Sequence, residues 1–283
     1  MSQMYLSAPL PFVGQKRMFA RHFAEVVSQY PEGSVFVDLF GGSGLLSHIA
    51  KHVRPGSRVV YNDYDNYRLR LRNIERTNVL LDRIRPIASE FPRGTIIKGE
   101  ARRQILTILE NEEREAGFLD VITLSTSLLF SGKYARSLDE LRRENMYSKV
   151  RKTDYDPCHD YLEGLEIESC DYRVLFERFK DVPGVVFLVD PPYLSTDVKT
   201  YHMCWRLADY LSVLSVLPGH DFIYFTSNKS SLLELCEWMG KNPTVGNPFE
   251  RCIRREYNAS LNYAAKYTDI MLYTDPTARH KAN

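Results

Sequence analysis

The 283-residue chain has few cysteines, and they follow no recognisable pattern. It lacks a Cys-x-x-Cys pair and any spacing typical of a metal site, since the five cysteines are dispersed at positions 158, 170, 204, 236 and 252. An odd, scattered set argues against a disulfide-stapled secreted domain and favours reduced thiols in a cytosolic setting. The seven histidines are equally dispersed, so no metal site is predicted.

Long apolar runs, targeting signals and repeats are also missing from the sequence. No stretch approaches the roughly 18 apolar residues that a membrane-spanning helix needs. The N-terminus carries no basic segment followed by an apolar one, which argues against a secretory signal. Because 44% of the residues are apolar, the chain can bury a substantial core. We therefore expect one large domain, or one domain with an insert.

Neither sign of charge is in excess, because 37 basic residues face 36 acidic ones and the net charge is +1. Composition alone does not indicate a nucleic-acid-binding protein. The distribution is less even, with basic residues dense from Arg54 to Arg103 and again from Arg136 to Lys152. Such a bipolar surface is compatible with one face on phosphate, although ordinary solvated helix faces account for most charged residues taken singly.

The first strong motif is a glycine-rich turn after a short apolar segment. Residues 35–44 read Val-Phe-Val-Asp-Leu-Phe-Gly-Gly-Ser-Gly, and a helical pattern follows. Glycine permits a tight turn and close approach of a ligand to the backbone. The loop lacks both the Gly-x-Gly-x-x-Gly fingerprint of dinucleotide-binding folds and the lysine of a P-loop. Asp63 ends the next apolar segment, where an acid commonly binds ribose hydroxyls; alone, it also fits a solvated turn.

The second strong motif follows a buried apolar segment and reads Asp190, Pro191, Pro192 and Tyr193. The Asp190 carboxylate and the Pro191 carbonyl can each accept one hydrogen bond from a planar amino group, which frees the nitrogen lone pair. Locked proline φ angles aim that carbonyl in advance, and the Tyr193 ring can stack on a flat substrate. The motif therefore suits methyl transfer to an exocyclic amino nitrogen. Taken alone, it also fits a plain strand-to-loop turn.

Together, the segment from Phe40 to Gly44 and the later Asp-Pro-Pro-Tyr motif resemble the S-adenosylmethionine-dependent adenine-N6 DNA methyltransferases. The closest resemblance is to the group typified by DNA adenine methylase. Residues 11–17, Pro-Phe-Val-Gly-Gln-Lys-Arg, stand where this group has Trp-x-Gly-Gly-Lys, with Phe12 in place of the tryptophan. Residues 170–172, Cys-Asp-Tyr, fit an Asp-aromatic pair that precedes the catalytic strand. The motif order is similar to the α arrangement, in which a recognition segment separates two halves of the catalytic domain.

The resemblance implies a role for each motif. Implied to lie at the methyl donor, S-adenosylmethionine, are Phe12, Lys16, Asp38, Phe40, Gly42, Gly44, Asp63, Asp171, Tyr172 and Asp190. The implied catalytic set is Asp190, Pro191, Pro192 and Tyr193. The target adenine would have to leave the duplex stack to reach them. Residues 194–203, with Tyr201 and His202, are either a lid over the flipped base or a plain connecting loop.

Between these motifs, residues 131–164 are polar, charged and rich in tyrosine, and their composition does not suggest core. We predict an S-adenosylmethionine-dependent catalytic domain at 1–100 and 165–283, with an inserted DNA target-recognition lobe at 101–164. Predicted to contact DNA are Lys133, Tyr134, Arg136, Arg142, Arg143, Lys149, Arg151 and Lys152, because Lys and Arg position a protein on phosphates. The alternative is a solvated helix on which Glu140 and Glu144 pair with the arginines.

Apolar segments alternate with helical patterns along the chain. This alternation predicts an α/β fold, with a Rossmann-like class I methyltransferase sheet, helices on both faces and an inserted, mainly helical target-recognition lobe. In such sheets ligands lie at the carboxyl ends of the strands, where Asp38, Asp63 and Asp190 all fall. Strands are predicted at 34–40, 58–62, 185–190 and 222–228, with two more in 250–274. Helices are predicted at 16–30, 43–53, 64–78, 100–115, 118–130, 172–180, 205–217 and 229–240.

The predicted function is site-specific methylation of adenine N6 in double-stranded DNA. The protein would act as a monomer or weak dimer in the cytoplasm of a prokaryotic or phage-infected cell. The alternatives are an RNA or protein amino-methyltransferase of the same fold, or a catalytically silent DNA-binding subunit. The chain lacks the Asn-Gly-x-x-Arg-x-Asn pattern common in relatives that read the DNA sequence GATC. The target sequence is therefore left open, as is a cognate restriction endonuclease as partner.

Overall fold

The computed structural model describes residues 3–130, 132–192, 206–242, 246–260 and 266–277. The chain forms two compact units. Unit 1 comprises Met1–Ser7, Gln15–Asp65 and Leu162–Asn283, and unit 2 comprises Ala8–Gly14 and Asn66–Tyr161. The N-terminal motif is thus divided, because its phenylalanine falls in unit 2 and its lysine in unit 1.

Unit 1 is built on a seven-stranded mixed sheet. In chain order the strands are β1 (Val35–Asp38), β2 (Arg58–Asn62), β3 (Glu166–Glu168), β4 (Val185–Val189), β5 (Asp221–Ser227), β6 (Ile253–Ser260) and β7 (Lys266–Tyr273). Their spatial order is β3-β2-β1-β4-β5-β7-β6. Strand β7 runs antiparallel to β5 and β6, and the other neighbouring strands pair in parallel. The order reverses between β1 and β4, and open α/β sheets bind ligands at such a switch point.

Ten helices lie in the described residues. They are α1 (Ala20–Val27), α2 (Leu45–Val53), α3 (Tyr67–Arg72), α4 (Ile74–Ser89), α5 (Gly99–Ala116), α6 (Val121–Leu128), α7 (Leu138–Arg143), α8 (Tyr172–Phe179), α9 (Leu207–Ser215) and α10 (Leu232–Gly240). Helices α3 to α7 belong to unit 2, which is therefore mainly helical. Across the described ranges, no helix combines the length and apolar character that a bilayer crossing demands.

Helices pack on both faces of the sheet, because successive strand side chains point to opposite faces. On β1, Phe36 packs in one apolar cluster with side chains of α1 and α2. Its neighbours Val35 and Val37 pack in the other cluster, with side chains of α8, α9 and α10. The central strand β4 is buried along its whole length. Burying each such side chain stabilises the fold by about 1.5–3 kcal/mol, which fixes the strand ends that carry the predicted acids.

A buried polar network fixes the first segment of unit 2. The Tyr67 hydroxyl accepts from the Leu10 N–H at 2.9 Å and donates to the Leu10 carbonyl at 3.0 Å. Arg70 donates to the Pro11 carbonyl at 2.8 Å and pairs with Asp120 at 3.0 Å. Because the Arg70 and Asp120 side chains are only 6% and 1% exposed, breaking this pair would leave a buried charge without compensation.

The predicted α/β class is confirmed, and several elements differ from the prediction. Helix α7 was not predicted, and α4 continues to Ser89, beyond the predicted end at residue 78. The helix predicted at 64–78 is two helices, α3 and α4, separated by Asn73, whose φ of −105° is not helical. Strand β3 was not predicted, because three residues reading Glu-Ile-Glu are too short to show a period of two.

The expectation that residues 131–164 do not contribute to the core is wrong for part of the segment. The structure buries Leu138, Leu141, Met146 and Tyr161 almost completely. Apolar residues are sparse here and separated by charges, so composition alone conceals them. Their placement reveals them, because Leu138 and Leu141 stand three residues apart on one face of α7.

Candidate active site

The three strand-end acids of unit 1 lie on neighbouring strands. Asp38 closes β1, and Asp63 and Asp190 follow directly after β2 and β4. Because β1 pairs in parallel with both β2 and β4, their carboxyl ends meet at one edge of the sheet. Asp38 and Asp63 are 0% and 3% exposed, and the Asp190 side chain is 18% exposed. Buried carboxylates are costly unless they find partners, so their contacts indicate what this edge can bind.

Asp190 is paired with Lys16. The Lys16 Nζ atom lies 2.6 Å from Asp190 Oδ2, and the lysine side chain is only 6% exposed. The Phe19 N–H donates to the Lys16 carbonyl at 2.9 Å, which anchors the lysine at the start of α1. The other oxygen, Asp190 Oδ1, is buried and has no hydrogen-bond partner among the described residues. One oxygen is therefore held by the protein and the other faces no protein donor in the described chain.

Burial affects the protonation of two of these acids. It raises the pKa of Asp190 above its usual value, an effect that Lys16 opposes. Burial also raises the pKa of Asp38 to about 7, although the Ser47 hydroxyl acts in the opposite direction by donating to Asp38 Oδ2 at 2.7 Å. Ser47 was not predicted as a site residue. It lies on the first turn of α2, where a helix following a glycine loop turns back toward the strand end.

The glycine-rich turn joins β1 to α2. Gly42 and Gly44 have φ angles of 50° and 74°, in the left-handed region that favours glycine. Gly41 is needed for a different reason. A Cβ atom at Gly41 would lie 2.4 Å from two ring atoms of Tyr61 and 2.7 Å from the Asn62 carbonyl oxygen. The missing side chain of Gly41 thus makes room for the Tyr61 ring.

Tyr61 connects this turn to the acid after β2, and the sequence prediction missed it. Its side chain is fully buried. The hydroxyl oxygen lies 2.8 Å from the Gly42 carbonyl oxygen and 3.0 Å from Asp63 Oδ1, and it can donate to either. A tyrosine inside an otherwise apolar strand, two residues before an acid, is the signal that could have revealed it. Tyr61 positions both the turn and the Asp63 carboxylate.

Gly41→Ala is expected to lower the free energy of unfolding by about 1–3 kcal/mol, the usual cost of overpacking a filled site. The added methyl group would have to displace the Tyr61 ring or the backbone at Asn62. Urea unfolding followed by circular dichroism would measure the change. Gly56→Ala is the matched control, because its Cβ would meet only a flexible Glu32 carboxylate oxygen, at 3.3 Å. Equal stability of the two variants would contradict the prediction.

An aromatic pair flanks the same turn. The rings of Phe40 and Tyr172 pack with centroids 4.9 Å apart and an interplanar angle of 33°. Tyr172 begins α8, and the preceding Asp171 caps this helix by accepting the Arg173 N–H at 2.9 Å. Hydrogen bonding from Arg173 lowers the pKa of Asp171. The structure therefore brings the two aromatic rings together, while the exposed Asp171 carboxylate is engaged with Arg173.

The remaining predicted catalytic-domain residues are distributed as follows. Phe12 belongs to unit 2, where its ring packs edge-on against Tyr67 with centroids 5.8 Å apart. Pro191 is buried and Pro192 is half-buried after β4. Tyr193 and the candidate lid that follows it lie outside the described residues.

Some of the predicted DNA-contacting residues of unit 2 already have acidic partners. Arg142, at the end of α7, pairs with Asp139 at 2.6 Å and with Glu110 at 2.9 Å. Lys133 pairs with Glu144 at 3.0 Å. Arg142 therefore fits the alternative of a solvated helix whose arginines pair with acids. Its partners are Asp139 and Glu110, whereas Glu140 and Glu144 were expected.

The side chains of the other predicted DNA-contacting residues form no ion pair in the described chain, although the backbone N–H of Arg136 donates to Glu140 Oε2 at 2.8 Å. The Lys149 ammonium lies 5.0 Å from the centroid of the Phe130 ring, and the Arg151 guanidinium lies 4.4 Å from that of Tyr155. Tyr134 is half-buried. The side chains of Arg136, Arg143 and Lys152 are likewise exposed and form no ion pair within the described residues.

Comparisons with known proteins identify the family of the chain. The profile of the D12 class N6 adenine-specific DNA methyltransferase family matches residues 12–211. A protein of Haemophilus influenzae strain Rd, named "Putative methyltransferase", is 35% identical over 278 residues, which cover 95% of this chain and 92% of the relative. The family match spans the glycine-rich turn, the strand-end acids and the Asp-Pro-Pro-Tyr motif. The chain belongs to the D12 class N6 adenine-specific DNA methyltransferase family, as its motifs predicted.

Proposed function

We propose that the protein transfers a methyl group from S-adenosylmethionine to the N6 atom of an adenine flipped out of double-stranded DNA, at a specific sequence. The observation that carries this proposal is the half-buried Asp190 carboxylate at the sheet switch point, with one oxygen held by Lys16, the other buried, and two prolines directly after it. We propose that the protein acts in the cytoplasm as a monomer or weak dimer.

The acceptor chemistry follows from the lone pair of the amino group. An exocyclic amino nitrogen is a poor nucleophile while its lone pair is delocalised into the ring. Asp190 Oδ1 and the Pro191 carbonyl would each accept a hydrogen bond from this nitrogen and draw it toward tetrahedral geometry. Both acceptors are fixed in advance, by Lys16 and by the locked φ of proline, so little reorganisation accompanies the reaction.

The donor side of the proposal relies on three features of unit 1. Asp63 offers a carboxylate to ribose hydroxyls, and Tyr61 and the turn at Gly42 hold it in place. The rings of Phe40 and Tyr172 offer a flat apolar surface to an adenine base. When bound, S-adenosylmethionine supplies an electrophilic methyl group on a sulfonium centre. The residues present fit such a ligand, since they combine an acid, an aromatic surface and a left-handed turn that is half-buried at Gly41 and Gly42.

DNA is the substrate that the family membership favours, and flipping is the step that the geometry of a duplex requires. A stacked adenine cannot approach a carboxylate at a sheet edge, so the base must leave the stack at a cost of a few kcal/mol. Stacking on an aromatic side chain returns about 1–3 kcal/mol, and Tyr193 is the residue we propose for this contact.

Incubation with methyl-labelled donor and separate duplex DNA, RNA and protein substrates tests the proposal. We expect label to enter duplex DNA as N6-methyladenine, and sequencing of DNA from an expressing host should locate it within one short sequence. Label confined to RNA or protein would assign the same site to another substrate. Donor binding without transfer to any substrate would indicate a silent DNA-binding subunit.

Asp63→Asn is expected to weaken donor binding by about 1.5–3 kcal/mol, the usual value of a hydrogen bond to a charged group. Calorimetry with S-adenosylhomocysteine would measure the affinity directly. Asp65→Asn is the matched control, because Asp65 is an exposed acid two residues further along the same loop. Unchanged affinity in Asp63→Asn would remove Asp63 from the proposed donor site.

A further inference from the structure

We propose that Lys16 is a positioning residue of the acceptor site, which binds Asp190 Oδ2 and leaves Oδ1 to accept a hydrogen bond from the target amino group. This inference rests on the proposed function and adds a role for Lys16 on the acceptor side. Sequence resemblance places the lysine beside the methyl donor instead, and the two roles have different experimental consequences.

The first support is the immobility that the contacts give to the lysine. Its ammonium lies 2.6 Å from the carboxylate in a nearly fully buried position. The backbone is held by the hydrogen bond from Phe19 at the start of α1. The Nζ atom also lies 5.8 Å from the centroid of the Phe225 ring, on β5. A long flexible side chain is thus fixed from its backbone to its charged end.

The second support is the energetic cost of this pair. Removing a lysine and an aspartate from water costs more than their attraction usually returns, and an apolar pair of similar volume is often as stable. A buried ion pair is therefore weak evidence of a stabilising device. The pair lies directly before the two prolines at the switch point, and this location indicates a role in binding the substrate.

The third support is the difference between the two carboxylate oxygens. Oδ2 is occupied by Lys16, whereas Oδ1 is buried without a hydrogen-bond partner among the described residues. A buried acceptor that makes no hydrogen bond is costly. A planar amino group offers the matching donor. Lys16 therefore selects which oxygen meets the substrate and in which direction it points.

The fourth support is the charge balance around Asp190. Besides Lys16, the titratable groups of the described residues that interact with it are Asp38 on β1, Asp269 on β7 and Tyr224 on β5. Burial and the acidic neighbours raise the pKa of Asp190, and Lys16 lowers it. Without the lysine, Asp190 would hold its proton to higher pH. A protonated carboxyl is a donor, and it cannot serve a substrate that needs an acceptor.

Lys16→Met tests the proposal through the pH dependence of the reaction. We expect the single-turnover rate on duplex DNA to fall at neutral pH. The acid limb of the rate profile should move upward by about 1–3 pH units, because an adjacent opposite charge lowers a carboxyl pKa by that amount. The affinity for S-adenosylhomocysteine should stay within about twofold. Lys16→Arg keeps the charge and should keep the acid limb near its wild-type position.

A second readout does not depend on activity. In protein labelled with ¹³C at aspartate carboxyl groups, the Asp190 signal is assigned by its loss in Asp190→Asn and then titrated by NMR. Its midpoint should rise in Lys16→Met and stay near the wild-type midpoint in Lys16→Arg. Lys51→Met is the matched control, since Lys51 is a half-buried lysine that donates to the Pro55 and Ser57 carbonyls. It should change neither titration nor rate profile.

Two results would overturn the positioning role. One is an unchanged Asp190 midpoint and acid limb in a folded Lys16→Met variant, with folding checked by thermal unfolding. The other is a large loss of donor affinity with a normal rate at saturating donor, which would place Lys16 on the donor side. If the wild type methylates no DNA, the proposed function fails. The carboxyl titration then still decides whether Lys16 controls Asp190.

Discussion

Asp190→Asn is expected to lower the single-turnover rate of methyl transfer by about 10²–10³-fold, the loss typical of removing one preorganised hydrogen-bonding group. Asparagine keeps the shape of the side chain and has one acceptor oxygen. Lys16, which lies 2.6 Å from Oδ2 in the wild type, would take that oxygen. The amide NH₂ would then face the substrate amino group, donor against donor. The variant therefore reverses the polarity of the proposed contact while preserving its volume.

Rapid-quench measurement with labelled donor and duplex DNA would give this rate, and calorimetry would show donor affinity close to that of the wild type. Thermal unfolding is needed as well, because the change leaves the Lys16 charge without an anionic partner. Asp181→Asn is the matched control, since Asp181 is an exposed acid in the turn before β4, whereas Asp190 follows that strand. A wild-type single-turnover rate in Asp190→Asn would remove the carboxylate from the chemistry.

The strand ends could be predicted because each buried strand of the sheet is a short contiguous apolar segment in the sequence. Apolar segments that become β1, β2 and β4 each end in an acid, and parallel strands present their carboxyl ends together. This rule alone places Asp38, Asp63 and Asp190 at one edge of the sheet. The short strand β3 was missed because it lies at the edge of the sheet and its sequence is mostly charged.

The contacts within the site could not be predicted in the same way. The pairing of Lys16 with Asp190 joins residues far apart in the chain, and it depends on how α1 packs on the sheet. Tyr61 was passed over because a buried strand tyrosine usually signals core. The role of its hydroxyl becomes evident only from the structure, where it lies within hydrogen-bond distance of the Gly42 carbonyl and of the Asp63 carboxylate. Motifs indicate which residues react, whereas packing determines which neighbours orient them.

The same distinction applies to unit 2, where composition identified a basic segment but could not show which charges are already neutralised. Arg142 and Lys133 have acidic partners. Arg136 and Arg143 are exposed and form no ion pair within the described residues. Counterion release requires a cation that can approach phosphate. The second pair of residues should therefore contribute more to DNA binding than the first.

Replacing Arg136 and Arg143 together with glutamine is expected to flatten the dependence of log K on log salt by up to about 1.8, since each lost phosphate contact removes roughly 0.9. Fluorescence anisotropy with labelled duplex DNA at several salt concentrations would measure this slope. The matched control replaces Lys133 and Arg142, which removes the same charge but from residues engaged with Glu144, Asp139 and Glu110. Its slope should change much less.

Donor affinity should be unaffected in both double variants, because none of the four replaced residues is among the proposed donor contacts, which include Asp63, Phe40 and Tyr172. Equal flattening in the two double variants would show that the surface ion pairs open freely on DNA, which exposed pairs can do at little cost. An unchanged slope in both would leave the exposed residues Lys149, Arg151 and Lys152 as the remaining basic candidates within residues 131–164. If neutralising those three also left the slope unchanged, the exposed Arg255 on strand β6 would be tested next, before Arg254, whose side chain pairs with Glu256 at 2.6 Å.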